Sequence, residues 1–158
     1  MKGSGADIGG IADAFQFVWQ PVAGDCEIVA RVAAVQPANS QAKVGLMIRS
    51  DFARDASHGG VFGFAGKVQF LSRIGNGKPA TSKDKPGLAI PRWLKLVRKG
   101  AVITGYDSDD GQAWSESGHE TITGLESTAF VGLAVCSHSN GQLATAQFTD
   151  VRLQKTKP

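Results

Sequence analysis

The sequence predicts an all-β fold, two antiparallel sheets packed as a sandwich or jelly roll. Three observations carry this. Apolar and polar residues alternate with period two in segment after segment, which marks half-buried strands. Twenty glycines, with Asn, Asp and Pro, punctuate those segments at turn positions. No stretch has the 3.6-residue period of an amphipathic helix. At 158 residues the chain has the length of one domain, residues 1–158 with a core over about 5–154.

The clearest pair of strands lies in residues 92–114, RWLKLVRKGAVITGYDSDDGQAW. In 92–99, Leu94 and Leu96 share one face, while Trp93, Lys95 and Val97 share the other. Lys99-Gly100 turns the chain into 102–107, and the acidic run Asp107 to Gly111 turns it again toward Trp114. Before this pair, Asp7-Ile8 reads as a short first strand. Residues 14–20 follow with Phe15, Phe17 and Trp19 on one face, ending at Pro21, which has no N–H for a ladder. Strands are expected at 26–35 and 43–50. A polar loop over 51–60 leads to a hairpin of 60–65 with 67–74 about Ala65-Gly66, and 75–87 reads as a long loop. A short return strand at 113–118, a loop over 120–128, a strand at 130–138, an Asn140-Gly141 hairpin turn and a last strand at 143–154 complete about eleven strands.

Alternation also assigns faces. Val44, Leu46 and Ile48, with Val131, Leu133 and Val135, are the natural inner residues. The opposite faces carry Gly45, Met47 and Arg49 and Gly132, Ala134, Cys136 and His138, small residues beside a few polar ones. That composition suits a shallow groove, with Arg49 and His138 on it if the two strands are neighbours.

Composition excludes several classes. Seventeen Lys and Arg against fourteen Asp and Glu give a net charge of +3. The cations are scattered rather than striped, so nucleic acid is not an expected partner. Lys78, Lys83 and Lys85 form one basic loop, read as solvated. No apolar run approaches membrane-spanning length, and the first residues lack the apolar region of a signal peptide. The expectation is a cytoplasmic protein, or a module cut from a longer exported one. Two cysteines, Cys26 and Cys136, are too few for a disulfide framework.

Several stretches together resemble a known family. GSGADIGGIADAFQFVWQP (3–21), KVGLMIRS (43–50), RWLKLVRKG (92–100), GYDSDDGQAW (105–114) and VGLAVCSHSNG (131–141) follow in the order found in a bacterial family of unknown function. That family is similar to the enolase-regulator-like domains of the concanavalin A-like lectin/glucanase superfamily. The resemblance implies a jelly roll of two curved sheets whose concave face suits a glycan. It also implies neighbouring domains, since such members look like modules of exported multi-domain proteins. Cys26 and Cys136 depart from the small or hydroxyl residues expected there, and the 78–85 loop is peculiar to this chain.

Candidate chemistry is sparse. The superfamily's glucanases use a Glu-x-Asp-x-x-Glu strand, because retaining hydrolysis needs two carboxylates about 5 Å apart. No such spacing occurs, so no catalytic residue is assigned. Asp107, Asp109 and Asp110 suggest calcium, but an Asp-Gly turn capped by its own side chains accounts for them, and no metal or cofactor is expected. Cys26, Cys136 and His138 offer a conceivable metal set, and a Cys26–Cys136 disulfide requires Cα atoms within about 7 Å. Sugar rings stack on exposed aromatics while Arg or Gln side chains bond the hydroxyls. The expected ligand-binding residues are therefore Arg49, Trp93, His138, Lys95 and Trp19. Arg49 and Arg98 have an alternative role, anchoring loops through backbone carbonyls. The functional expectation is a non-catalytic module binding carbohydrate on the concave sheet. The alternatives are a structural or protein-interaction domain, then an unrecognised glycoside-active enzyme.

Overall fold

The computed structural model describes residues 1–64 and 66–157. It contains twelve strands in two antiparallel sheets, with no helix among the described residues. The strands are β1 (Lys2–Gly5), β2 (Gln16–Ala23), β3 (Cys26–Gln36), β4 (Lys43–Arg49), β5 (His58–Phe64), β6 (Lys67–Arg73), β7 (Thr81–Pro86), β8 (Arg92–Lys99), β9 (Val102–Ser108), β10 (Ser115–Thr121), β11 (Thr128–Cys136) and β12 (Ser139–Lys155). The first sheet runs β1-β12-β3-β8-β9-β10 and the second β2-β11-β4-β5-β6-β7. Consecutive strands often lie in different sheets, the crossing pattern of a jelly roll.

The core forms where the two inner faces meet. Ile28, Ala30, Val32, Leu94, Leu96 and Ile103 of the first sheet pack against Val44, Leu46, Ile48, Val61, Phe70, Val131 and Val135 of the second. The inner set expected on β4 and β11 is thus the observed one, and those two strands are neighbours.

Four expectations are corrected. Asp7 and Ile8 lie in a loop, and the first strand is Lys2–Gly5. Pro21 does not end β2, because β2 is an edge strand and that position needs no N–H on its open side. Part of the 75–87 loop is strand β7, an edge guarded by Lys83, Lys85 and Pro86. The turn into β12 falls at Ser137-His138, where His138 has φ 58° and the Ser137 hydroxyl bridges the N–H and C=O of Ser139. Asn140-Gly141 lies within β12, in the register irregularity between Ser139 and Ala144, which pair with Gly5 and Gly3 of β1. In the β5–β6 hairpin, Ala65 lies outside the described residues.

Candidate functional site

The groove expected on the outer face of the second sheet is filled by the chain itself. Residues 7–14 form a loop closed by the Ala14 N–H donating to the Asp7 carbonyl at 2.8 Å. Ile8 plugs the middle of the face, packed with Met47, Phe62, Leu71, Ala134 and Cys136. Ala134 packs in the Ile8 cluster, while Gly45 and Gly132 are small because a Cβ at either would strike the backbone of the neighbouring strand, β5 or β2.

The plug is held by a buried ionic cluster. Asp13 accepts two bonds from Arg73, Nη1 to Oδ2 at 2.6 Å and Nη2 to Oδ1 at 2.8 Å, and one from the Gly9 N–H at 3.2 Å. The other Arg73 donors reach the carbonyls of Lys78, Ala56, Gly9 and Gly10 at 3.0–3.3 Å. Such a planar fork with every donor used is the arrangement in which an arginine tolerates burial. Arg49 lies 3.7 Å from Asp13, donates to the carbonyls of Asp51 and Ala53 at 2.6 Å each, and stacks on Phe15. Burial lowers its pKa, opposed by Asp13, and it remains a cation. Arg49 is therefore a buried anchor rather than an exposed ligand contact, the alternative role the sequence allowed. Arg98 anchors likewise, to Gly100 and Glu126 carbonyls at 2.9 and 2.6 Å.

His58 sits in this cluster, with Nε2 3.6 Å from Asp13, yet it is neutral. Burial comes first in holding its pKa down, to about 3; Asp13 pulls it up, and Arg73 and Arg49 push it down. The unfolded chain titrates near 6.5, so below that pH it holds a proton the native state lacks, and stability falls with pH until about 3. Asp107, a depressed carboxylate, adds a loss of the same sign at lower pH. Urea melts at pH 7 and pH 5 should differ by about 2 kcal/mol, and His58→Gln should flatten that difference.

The expected ligand residues do not assemble. Trp19 and Arg49 stand on the outer face of the second sheet, and His138 is at its far end, Nδ1 3.3 Å from Asp7, which also binds Lys43. Cys136 pairs with Lys43 while Phe130 pairs with Arg49, so six residues of strand separate the two ends. Trp93 and Lys95 face outward from the first sheet, on the opposite side of the sandwich. Trp93 is half-buried under the acidic turn, where a Cβ at Gly111 would lie 2.8 Å from its ring.

What does assemble is aromatic. Trp19, Phe52 and Phe130 form a triad with centroids 4.2–5.0 Å apart. Trp19 is 42% exposed and Phe52 53%, high values for rings of this size. Phe52 also borders a cavity of about 190 Å³ lined by Asp13, Phe15, Phe17, Arg49 and Arg54. A larger cavity of about 280 Å³ at one end of the sandwich, between Val35, Pro37, Leu88 and Ile90, has an apolar lining with Ser40. It lacks the charged groups that would orient a polar ligand. Sequence reasoning missed Phe52, which sits in a loop without period, and Phe130, whose proximity to Trp19 depends on register across β2, β11 and β4.

The acidic turn sends its carboxylates apart. Asp107 is buried against Arg92, Lys85 and Ser117, Asp109 binds Arg92, and Asp110 caps the N–H groups of Gln112 and Ala113. Lys85 is thus a clamp between the edges of the two sheets rather than a solvated loop residue. Burial pushes the Asp107 pKa up, but these partners outweigh it and hold the carboxyl below its usual range. Melting temperatures in chelator and in millimolar calcium should coincide, and a rise of several degrees with calcium would contradict this. Cys26 lies in the core between the sheets and Cys136 in the cluster beneath Ile8. Both are free thiols, so the disulfide and the shared metal set are excluded by position. Burial pushes the Cys26 thiol up to about 11 and raises Cys136 as well.

Comparison with known proteins gives likeness of fold. The chain is similar to a functionally unknown protein from Saccharomyces cerevisiae, with TM-score 0.77, 16% identity and coverage of 98% of this chain and 86% of that one. It is similar to part of a xylan β-1,4-xylosidase from Bacillus halodurans, with TM-score 0.65, 20% identity and 90% of this chain on 30% of the other. A family 7 alginate lyase matches at TM-score 0.62 and 12% identity over 88% of this chain and 66% of that chain. No protein-family model matches the sequence, and no curated protein does.

Proposed function

We propose that the protein is a non-catalytic carbohydrate-binding module of the concanavalin A-like class, close to the enolase-regulator-like domains. Its site is the outer face of the second sheet at Trp19, Phe52 and Phe130. The observation that carries this is the aromatic triad, exposed at Trp19 and Phe52, beside a small pocket. Stacking on such rings releases apolar sugar faces from water, and exposed Arg54 at the pocket supplies a polar contact. The cavity is smaller than the ~300–1,000 Å³ that encloses a drug-sized ligand, which favours a sugar chain lying across the triad with one substituent in the pocket. The carbohydrate-active enzymes among the fold neighbours, including the xylosidase and the lyase, support the same class.

A protein-interaction role is the second reading. Val18 and Val151 are exposed beside Leu133 and Leu153, an apolar crevice along the β2–β12 flank. A glycan array of neutral oligosaccharides, followed by calorimetry on Trp19→Ala and Phe52→Ala, separates the two. Each substitution should weaken binding at least about tenfold with little change in melting temperature. Absence of binding to any neutral glycan by the parent would favour the protein-interaction role.

A further inference from the structure

The outer face of the first sheet carries an arrangement that the triad does not use. Arg152, Val29, Lys95 and Tyr106 lie in one cross-strand row over β12, β3, β8 and β9. Arg31 and Trp93 are paired two residues further along. Trp114 folds back over the row, so the Lys95 ammonium sits 4.7 Å from the Tyr106 centroid and 4.4 Å from that of Trp114. A cavity of about 120 Å³ opens here, lined by Glu27, Val29, Lys95, Trp114, Arg152 and Gln154. Val29, buried, is its floor.

The charges on this face are unevenly satisfied. The nearby acids have partners: Glu116 pairs with His119, Asp109 with Arg92, Asp110 with the turn backbone, and Glu27 accepts from Gln154 at 3.2 Å. Among the described residues, Arg31, Lys95 and Arg152 have no carboxylate within 4.0 Å. The two rings hold the Lys95 ammonium by cation–π attraction, so capture of an anion costs little further side-chain ordering. Lys95 and Arg152 stand two strand spacings apart, roughly 10 Å at the backbone, and their side chains converge on the cavity between them.

We infer that this cavity is a second binding site, for the carboxylate of a uronic-acid residue in an acidic polysaccharide. The carboxylate lies over Val29 between Lys95 and Arg152, and Arg31 contributes positive potential from the next row. Arginine binds a planar carboxylate through two parallel N–H donors, and the ammonium supplies the opposing charge. Half-buried Trp93 and Trp114 flank the path along which neighbouring sugar rings would run. Glu27 also lines the cavity, and its charge opposes an anion there, so Lys95 and Arg152 must both engage the ligand to outweigh it. Three cations are too few for the backbone of a nucleic acid. The site is independent of the Trp19 triad, which lies on the other side of the sandwich.

The test is calorimetry of the full chain with a uronic-acid tetrasaccharide, the monomeric uronate, a neutral tetrasaccharide of equal length and a single-stranded oligonucleotide. The parent should bind the acidic tetrasaccharide more tightly than the monomer, and raised salt should weaken that binding. Lys95→Gln with Arg152→Gln should lower its affinity at least about tenfold, while Lys78→Gln, which removes an exposed cation outside both sites, leaves it unchanged. Arg152 is exposed, so Arg152→Gln alone keeps the fold and should still weaken the acidic ligand. No binding of the acidic tetrasaccharide by the parent, equal affinity in the double variant, or tighter binding of the oligonucleotide through the same residues would overturn the site.

Discussion

Asp13→Ala should lower the melting temperature by about 10 °C. Among the described residues, Asp13 is the carboxylate within 4.0 Å of the buried Arg73 and Arg49 cations. Removing one partner of a buried ion pair costs roughly 3–5 kcal/mol, because the charge left behind has neither water nor counter-ion. For a domain of this length each kcal/mol is worth about 2–4 °C. The loss would also be local. Without Asp13, the loop over residues 7–14 keeps the Asp7–Lys43 pair at its start and backbone bonds such as the Ala80 N–H donating to the Gly10 carbonyl, but loses the ionic tie at its end, so Ile8 is held less firmly. Hydrogen exchange should therefore quicken first at Ala14, whose N–H closes the loop. A change of less than about 2 °C would show that the plug is held by apolar contact alone.

Gly132→Ala should be nearly as damaging, for a different reason. A Cβ at this position would lie 1.9 Å from the Val18 carbonyl oxygen and 2.8 Å from the Trp19 Cα. Both are backbone atoms of the neighbouring strand, so no side-chain rotation relieves the clash and β2 must move off β11. The expected cost is about 3 kcal/mol, the upper end of the overpacking range. Because Trp19 pairs directly with Gly132, glycan binding should weaken too. Gly100→Ala offers a contrast, a turn glycine with φ 59° and open space around its Cβ, where about 1 kcal/mol is expected. Equal melting temperatures for Gly132→Ala and the parent would mean that the edge strand yields freely.

The sandwich was legible because strand alternation survives in the sequence. Val44, Leu46 and Ile48 point inward because each second residue of a strand must, whatever its neighbours are. The site was less legible, since it depends on which outer face each alternating set meets. Trp93 and Trp19 both read as outward aromatics, yet strand order places them on opposite sides of the sandwich. Arg73, the hub of the ionic cluster, looks in sequence like any outward cation at a strand end. Its burial is set by a loop sixty residues earlier in the chain, a separation at which periodicity carries no information.

The most direct test of the carbohydrate reading uses the three indole N–H groups of Trp19, Trp93 and Trp114 as separate NMR reporters. The labelled protein is titrated with the best neutral oligosaccharide from the array. The Trp19 indole signal and the amides of Phe52 and Phe130 should shift together and saturate with one affinity, while Trp93 and Trp114 stay in place. Shifts confined to Trp93 and Trp114, or none with any neutral glycan, would contradict the assignment of the site to the outer face of the second sheet.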